Sequence, residues 1–267
     1  MSEVKELTER IIARKEGAAG WLVFNNPERR NAVSIDMWEA IPAVLDRFLA
    51  DAEVRVIVLA GAGDKAFVSG ADISQFEKQR SGPEAVQHYE EIAERAQARI
   101  QNSDKPVIAM IRGYCLGAGV NIANVCDLRI AADDARFGIP AARMGLGYRA
   151  SSMKNLVDIV GAAYAREIMI TARQFTAAEA LQMGLAHHVV PVAELEAFTK
   201  KYCDDIAANA PLTMGAAKRI IREIVKASGS YDAALCKSWV KECFDSEDYK
   251  EGRKAFMEKR KPVFRGK

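Results

Sequence analysis

The sequence predicts an α/β core over residues 1–205 and a helical region over residues 206–267. Three observations carry that prediction. Short apolar runs alternate with segments of helical periodicity through the first half of the chain. Residues 54–60 form an apolar run of the kind found in a sheet covered on both faces. From Val192 onward the pattern is helical, broken near Pro211, Gly229 and Ser246 and ending at about Arg260. At 267 residues, a chain buries roughly 70–75% of its unfolded surface, so a core forms without disulfides or metal.

Taken in order, residues 21–24 read as a strand, and Asn25, Asn26 and Pro27 as the turn that ends it. Ser34 is placed to cap a helix whose apolar stripe is Met37, Ile41, Val44, Leu45 and Phe48. Pro42 lies deep in that helix and is expected to kink it or to move its start. After the strand at 54–60 come a helix over about 83–102, a strand over 106–111, a glycine turn, a short helix near Asn121 and a strand over 128–132. Thr176 and Glu179 form a capping box that opens a helix stopping at Gly184, and residues 185–190 make one more short strand. The sequence contains no clear internal repeat and no low-complexity linker.

Lysine and arginine number 38 against 36 acidic residues, a net charge of +2 with the signs interleaved, which is no electrostatic footprint for nucleic acid. Only the tail, from Lys259 to Lys267, is net basic. No apolar run approaches the ~20 residues of a membrane helix, and the first ten residues lack the apolar stretch of a signal peptide. The cysteines number five, with no CxxC pair, which argues against a disulfide framework and against a zinc site. The expectation is a reducing, cytoplasmic compartment, with no nucleic-acid or membrane partner and no metal.

Gly61, Gly63 and Ala66 follow a strand and fit the spacing of a dinucleotide fingerprint. The loop runs on into Phe67, Val68, Ser69 and Gly70 instead of opening the helix that a pyrophosphate requires, so an NAD site is rejected. Two other glycine turns, at residues 67–73 and 113–121, are more telling. Glycines let the backbone turn with N–H groups facing outward, and two such groups converging would hold a developing oxyanion. Spacing alone leaves ordinary turns as the alternative.

Ordered motifs along the chain then narrow the choice. They include Asn25, Pro27, Arg30, Asn31 and Ala32; Ala66 and Phe67 with Ser69, Gly70, Ala71, Asp72 and Ile73; and Lys105 through Ala109. Gly113 and Tyr114 with Leu116, Gly117, Ala118 and Gly119 follow, then Cys126 and Asp127, Phe137, Gly138 and Pro140, and Gly145. Near the end stand Thr176, Glu179, Gly184 and Leu185, and then Ala255, Phe256 and Lys259. In order and spacing this set resembles the crotonase (enoyl-CoA hydratase/isomerase) superfamily over nearly the whole chain.

The resemblance implies a spiral core of stacked ββα units and a C-terminal helical trimerisation region, with homotrimers or dimers of trimers. It implies an acyl-CoA thioester as substrate and no other cofactor, coenzyme A entering as part of that substrate. The two oxyanion donors map onto the backbone N–H groups of Ser69 and Ala118. Arg30, Ala32, Ala71, Asp72, Ile73, Gly117 and Ala141 are implied to border the substrate. Lys259 and Phe256, from a neighbouring subunit, are implied to meet the 3′-phosphate and adenine; without the resemblance the basic tail reads as a solvated charge run.

The sequence departs from the family at the chemistry. The two hydratase glutamates fall at Asn121 and Ala141, and neither an amide nor a methyl exchanges protons near neutral pH. Tyr148 matches a tyrosine of decarboxylases similar to methylmalonyl-CoA decarboxylase, whose histidine falls here at Ala71. The expectation is therefore a lyase or isomerase using Tyr148, with Arg143, Asn121 or Arg149. Decarboxylation of a malonyl-type CoA is one alternative, and a non-catalytic CoA-ester binder is another. His88, His187, His188 and Cys115 read as structural or exposed, and Asp72 as a helix cap.

Overall fold

In a computed structural model of the chain, residues 8–72, 83–144, 146–225 and 232–267 are described. The chain opens with β1 (Ile11–Glu16), β2 (Ala19–Phe24) and helix α1 (Ile35–Ala50). Three units of similar plan follow: β3 (Val56–Gly61), β4 (Ala66–Val68) and α2 (Pro83–Gln101); β5 (Val107–Ile111), β6 (Tyr114–Leu116) and α3 (Ala118–Asn124); and β7 (Leu128–Ala132), β8 (Arg136–Gly138) and α4 (Ala150–Thr171). Then come β9 (Phe175–Thr176), α5 (Ala177–Gln182) and β10 (His188–Val190), and the helices α6 (Leu195–Ala207), α7 (Pro211–Ile224), α8 (Ala233–Asp245) and α9 (Glu247–Met257).

Each unit gives its first strand to one sheet and its second to another. The six-stranded sheet runs β1-β2-β3-β5-β7-β10, and the four-stranded sheet runs β4-β6-β8-β9. Pairing is parallel except at β1 with β2 and β8 with β9. Successive units therefore step one strand further along both sheets, which is a spiral of ββα turns. The larger sheet is buried on both faces: Leu22, Phe24, Ile57 and Leu59 pack toward α1 and α2, while Trp21, Val56, Val58 and Ile108 pack toward α6. That two-sided burial accounts for the apolar run read at residues 54–60.

Most expected elements are present with ends shifted by a residue or two. The stripe of α1 is wholly buried, and its start stays at Ile35 with Pro42 inside the helix. Ser34 occupies the N-cap position without a side-chain bond to the helix backbone, whereas the Thr176 and Glu179 capping box is complete. The loop after β3 runs into β4 without a helix, as the rejection of a dinucleotide site required. The sequence reading missed β1, the short strands β4, β6, β8 and β9, and the longest helix, α4. That helix is broken at Gly161 (φ 72°) and exposes Val157 and Ile170, so its apolar residues make no clean stripe.

Two contacts hold the units in register near the cavity. Asn31, buried and left-handed (φ 57°), donates to the carbonyls of Ala62 (2.9 Å) and Ala66 (2.7 Å), and its Oδ1 accepts from the Asn26 N–H (3.0 Å). Helix α3 sits so close to β4 that a Cβ added at Gly119 would lie 2.2 Å from the Val68 carbonyl oxygen. Replacing Gly119 by Ala forces α3 away from β4, and urea unfolding is expected to show a loss of about 1–3 kcal/mol. An unchanged midpoint would contradict this packing.

Candidate active site

Where β4 and β6 end, two loops meet. Gly70 (φ 129°) and Gly117 (φ 52°) hold conformations that other residues rarely adopt, and a Cβ at Gly117 would touch the Gly70 Cα at 3.8 Å. The main-chain hydrogen bonds here decide which N–H groups are available. Ser69 N–H donates to the Arg30 carbonyl (3.1 Å), so Ser69 is not a free donor and that part of the sequence expectation is corrected. The next stretch pairs with Val33: Val33 N–H donates to the Gly70 carbonyl (2.9 Å) and Asp72 N–H to the Val33 carbonyl (3.0 Å). Strand alternation turns the intervening Ala71 N–H the other way, and it has no acceptor among the described residues.

On the second loop, Gly117 N–H is spent on the Gly138 carbonyl (2.8 Å). Ala118 is the first residue of α3, where a helix leaves its N–H groups without internal partners. Its N–H has no acceptor among the described residues. Ala71 and Ala118 both line one cavity of about 210 Å³. That is below the roughly 300–1,000 Å³ of sites that enclose a whole small-molecule ligand, so it suits part of a larger one.

Three further elements close the cavity. Helix α2 contributes Tyr89, Glu90, Ala93 and Gln97; the turn Pro140–Met144 contributes Ala141; and the entry to α4 contributes Tyr148, Arg149 and Ser152. Tyr148 Oη donates to Asn121 Oδ1 at 2.8 Å, joining two of the candidate residues directly. Burial pushes the Tyr148 phenol up to about 12, against opposing pulls from Asn121 and the Arg149 charge. The phenol therefore carries its proton throughout the neutral range. Arg149 donates to the Glu90 carbonyl (2.8 Å) and lies 4.0 Å from Glu94.

The spiral beneath the cavity has close counterparts. The sequence matches the enoyl-CoA hydratase/isomerase family over residues 14–267. The chain belongs to that family. A short-chain-enoyl-CoA hydratase of Clostridium acetobutylicum is 34% identical over 251 residues, spanning 94% of this chain and 95% of that protein. A crotonyl-CoA hydratase of Syntrophomonas wolfei is 33% identical, spanning 96% and 98% of the two chains. The crystal structure of a putative enoyl-CoA hydratase/isomerase family protein from Hyphomonas neptunium superposes with a TM-score of 0.93 at 35% identity, covering 98% of this chain and 99% of that one.

Within this enoyl-CoA hydratase/isomerase frame, the remaining candidates divide. Asn121 and Ala141 both face the cavity, together with Gly117. Arg143 is exposed on the turn Pro140–Met144 and does not line the cavity, which removes it from direct contact there. Asp72 is buried and ion-paired with Arg29 (2.9 Å), and the helix start it was expected to cap lies outside the described residues. Arg30 stacks on Tyr114 at 5.0 Å and borders a separate cleft, and Ala32 is buried beside it in sequence. Lys259 is exposed beyond α9, away from the cavity lining. Ile73, Gly145 and the Phe256 side chain lie outside what is described. His187 accepts from the Arg129 N–H (3.1 Å), His188 bonds Tyr202 (2.8 Å), His88 is exposed and Cys115 is buried, so none of the four enters the site.

Sequence reasoning missed Gln97, Ser152 and Glu90. Tyr89, Ala93 and Gln97 recur every four residues on the expected helix, a signal that was available and unused. The Tyr148 environment is testable by alkaline difference absorbance: between about pH 9 and 11 the Y148F variant should match the wild type. The missing tyrosinate should appear only near pH 12. A difference already complete near the ordinary tyrosine value would contradict the burial of this phenol.

Proposed function

We propose that the protein is an enzyme acting on an acyl-CoA thioester, a lyase or isomerase that passes through an enolate held by the N–H groups of Ala71 and Ala118. The observation that carries this reading is the pair of unspent N–H groups on two abutting loops at one cavity wall. A thioester carbonyl oxygen placed between them gains most as it becomes anionic, and each such donor is worth about 2.7–4 kcal/mol in the transition state. Two hydratases at 33–34% identity support the substrate class.

The proton chemistry falls to Tyr148 rather than to carboxylates at positions 121 and 141. Its phenol is neutral, held by Asn121, and suited to give a proton to the enolate α-carbon. That favours a second reading in which no base is needed to start the reaction. In a malonyl-type thioester the bond to the carboxylate breaks, carbon dioxide leaves, and the electron pair enters the enolate. Tyr148 then protonates the α-carbon and recovers its proton from solvent.

We also propose assembly as a homotrimer or dimer of trimers through residues 206–267. Ile221 and Ile224 of α7 are 61% and 57% exposed, an apolar surface that assembly would cover. A neighbouring copy would then bring Lys259 toward the coenzyme A phosphate, and light scattering reporting a monomer would remove that contribution. The buried thiols of Cys115, Cys126 and Cys203 suit a reducing, cytoplasmic setting.

Turnover of crotonyl-, 3-enoyl-, malonyl- and methylmalonyl-CoA, read by mass, separates the reactions. Loss of carbon dioxide supports the second reading, isomerisation or water gain the first, and tight binding without turnover reduces the protein to a CoA-ester binder. Proline is tolerated at the first position of a helix but has no N–H. Ala118→Pro should therefore cut kcat by about 10²–10³-fold while circular dichroism stays native. Y148F should lower kcat at least about tenfold if the phenol transfers the proton. An unchanged rate in either variant removes that group from the mechanism.

A further inference from the structure

Part of the cavity lining is used by none of the chemistry above. Helices α2 and α4 run alongside each other there. Arg149 Nη1 meets the Glu90 carbonyl at 2.8 Å near one end, and Gln101 Nε2 meets Asn155 Oδ1 at 3.4 Å further on. Gln97 and Ser152 lie between these two ties, and both line the cavity. At 1.5 Å per residue, Gln97 sits about 10 Å along α2 from Glu90.

Both residues are buried, Gln97 at 7% exposure and Ser152 at 4%. Neither side chain has a hydrogen-bond partner among the described residues. Their polar atoms are not among the unpaired side-chain atoms sealed from solvent in the described residues, so they open onto the cavity, and a ligand that covers such a group without pairing it costs about 1–3 kcal/mol. The neighbouring polar pair shows the ordinary outcome, with Trp38 Nε1 donating to Tyr89 Oη at 2.9 Å. The same cavity is lined by the apolar side chains of Ala93, Ile139 and Leu146. A plain alkyl chain would leave both polar groups unpaired in that setting. No charged side chain of the lining is free to neutralise a carboxylate there, because Arg149 is already engaged with Glu90 and Glu94.

We infer that Gln97 and Ser152 form a subsite for an uncharged oxygen substituent, a hydroxyl or keto group, on the acyl chain distal to the thioester. This rests on the acyl-CoA reading above. The oxygen accepts from the Gln97 amide and the Ser152 hydroxyl, and a substrate hydroxyl donates back to either. Specificity follows from the mismatch, since an acyl chain lacking the oxygen strands two buried dipoles.

The test compares dissociation constants, by titration calorimetry, for butyryl-CoA against 4-hydroxybutyryl-CoA and hexanoyl-CoA against 6-hydroxyhexanoyl-CoA. The wild type should bind the hydroxyacyl member of at least one pair about tenfold more tightly, and Gln97→Leu with Ser152→Ala should abolish or reverse that ratio. Reading the ratio within each variant, with Gln97→Met as a gentler substitution, separates lost recognition from lost folding. Equal or weaker binding of the hydroxyacyl members, or a preference that survives both substitutions, overturns the subsite and leaves the acyl-CoA reading intact. Failure of every CoA ester to bind overturns that reading, and the subsite with it.

Discussion

A main-chain amide is available to a ligand only where the fold has not already used it. Around this cavity several such groups are spent: Ser69 on Arg30, Gly117 on Gly138, and Val33 and Asp72 on each other's strands. Ala71 and Ala118, which have no acceptor among the described residues, owe their place to register. Pairing of Val33 with residues 70–72 turns Ala71 outward, and the start of α3 leaves Ala118 unpaired. A shift of one residue in either segment would aim a different amide, so the catalytic reading depends on close contacts elsewhere. Those contacts are the Asn31 side chain that ties three backbone positions together and the contact of Gly119 with Val68.

The larger sheet supplies the rigidity that makes such placement useful. Its strands are buried on both faces, so they cannot slide without exposing Leu22, Phe24 or Trp21. The short strands β4, β6 and β8 carry the functional loops at one end of this frame. The groups on those loops need little reorganisation as charge develops, which is the condition under which fixed dipoles contribute most.

Much of this was legible in the sequence. The helix stripe at Met37 to Phe48, the apolar run at residues 54–60 and the capping box at Thr176 are local signals, and each appears where expected. The ordered glycine motifs led to the right family. They led to Ser69 rather than Ala71 because only the tertiary pairing shows which N–H is spent: Ser69 donates to Arg30, while pairing with Val33, more than thirty residues away, turns Ala71 outward. Three-residue strands carry too few residues for periodicity to register, which hid β4, β6 and β8. Arg143 matched on position alone, and its exposure was decided by a turn that the sequence did not specify.

On the proposed reading the anion is held by main-chain groups at Ala71 and Ala118, so side chains near them are free to drift. Asn121, Ala141 and Tyr148 project into the cavity from elements whose hydrogen bonding does not depend on their identity. The scaffold thus separates the costly task, stabilising charge on oxygen, from the adjustable one, choosing where a proton goes. A lineage built this way can retool its reaction through a handful of side-chain replacements, with no need to reinvent the fold or the socket for its thioester.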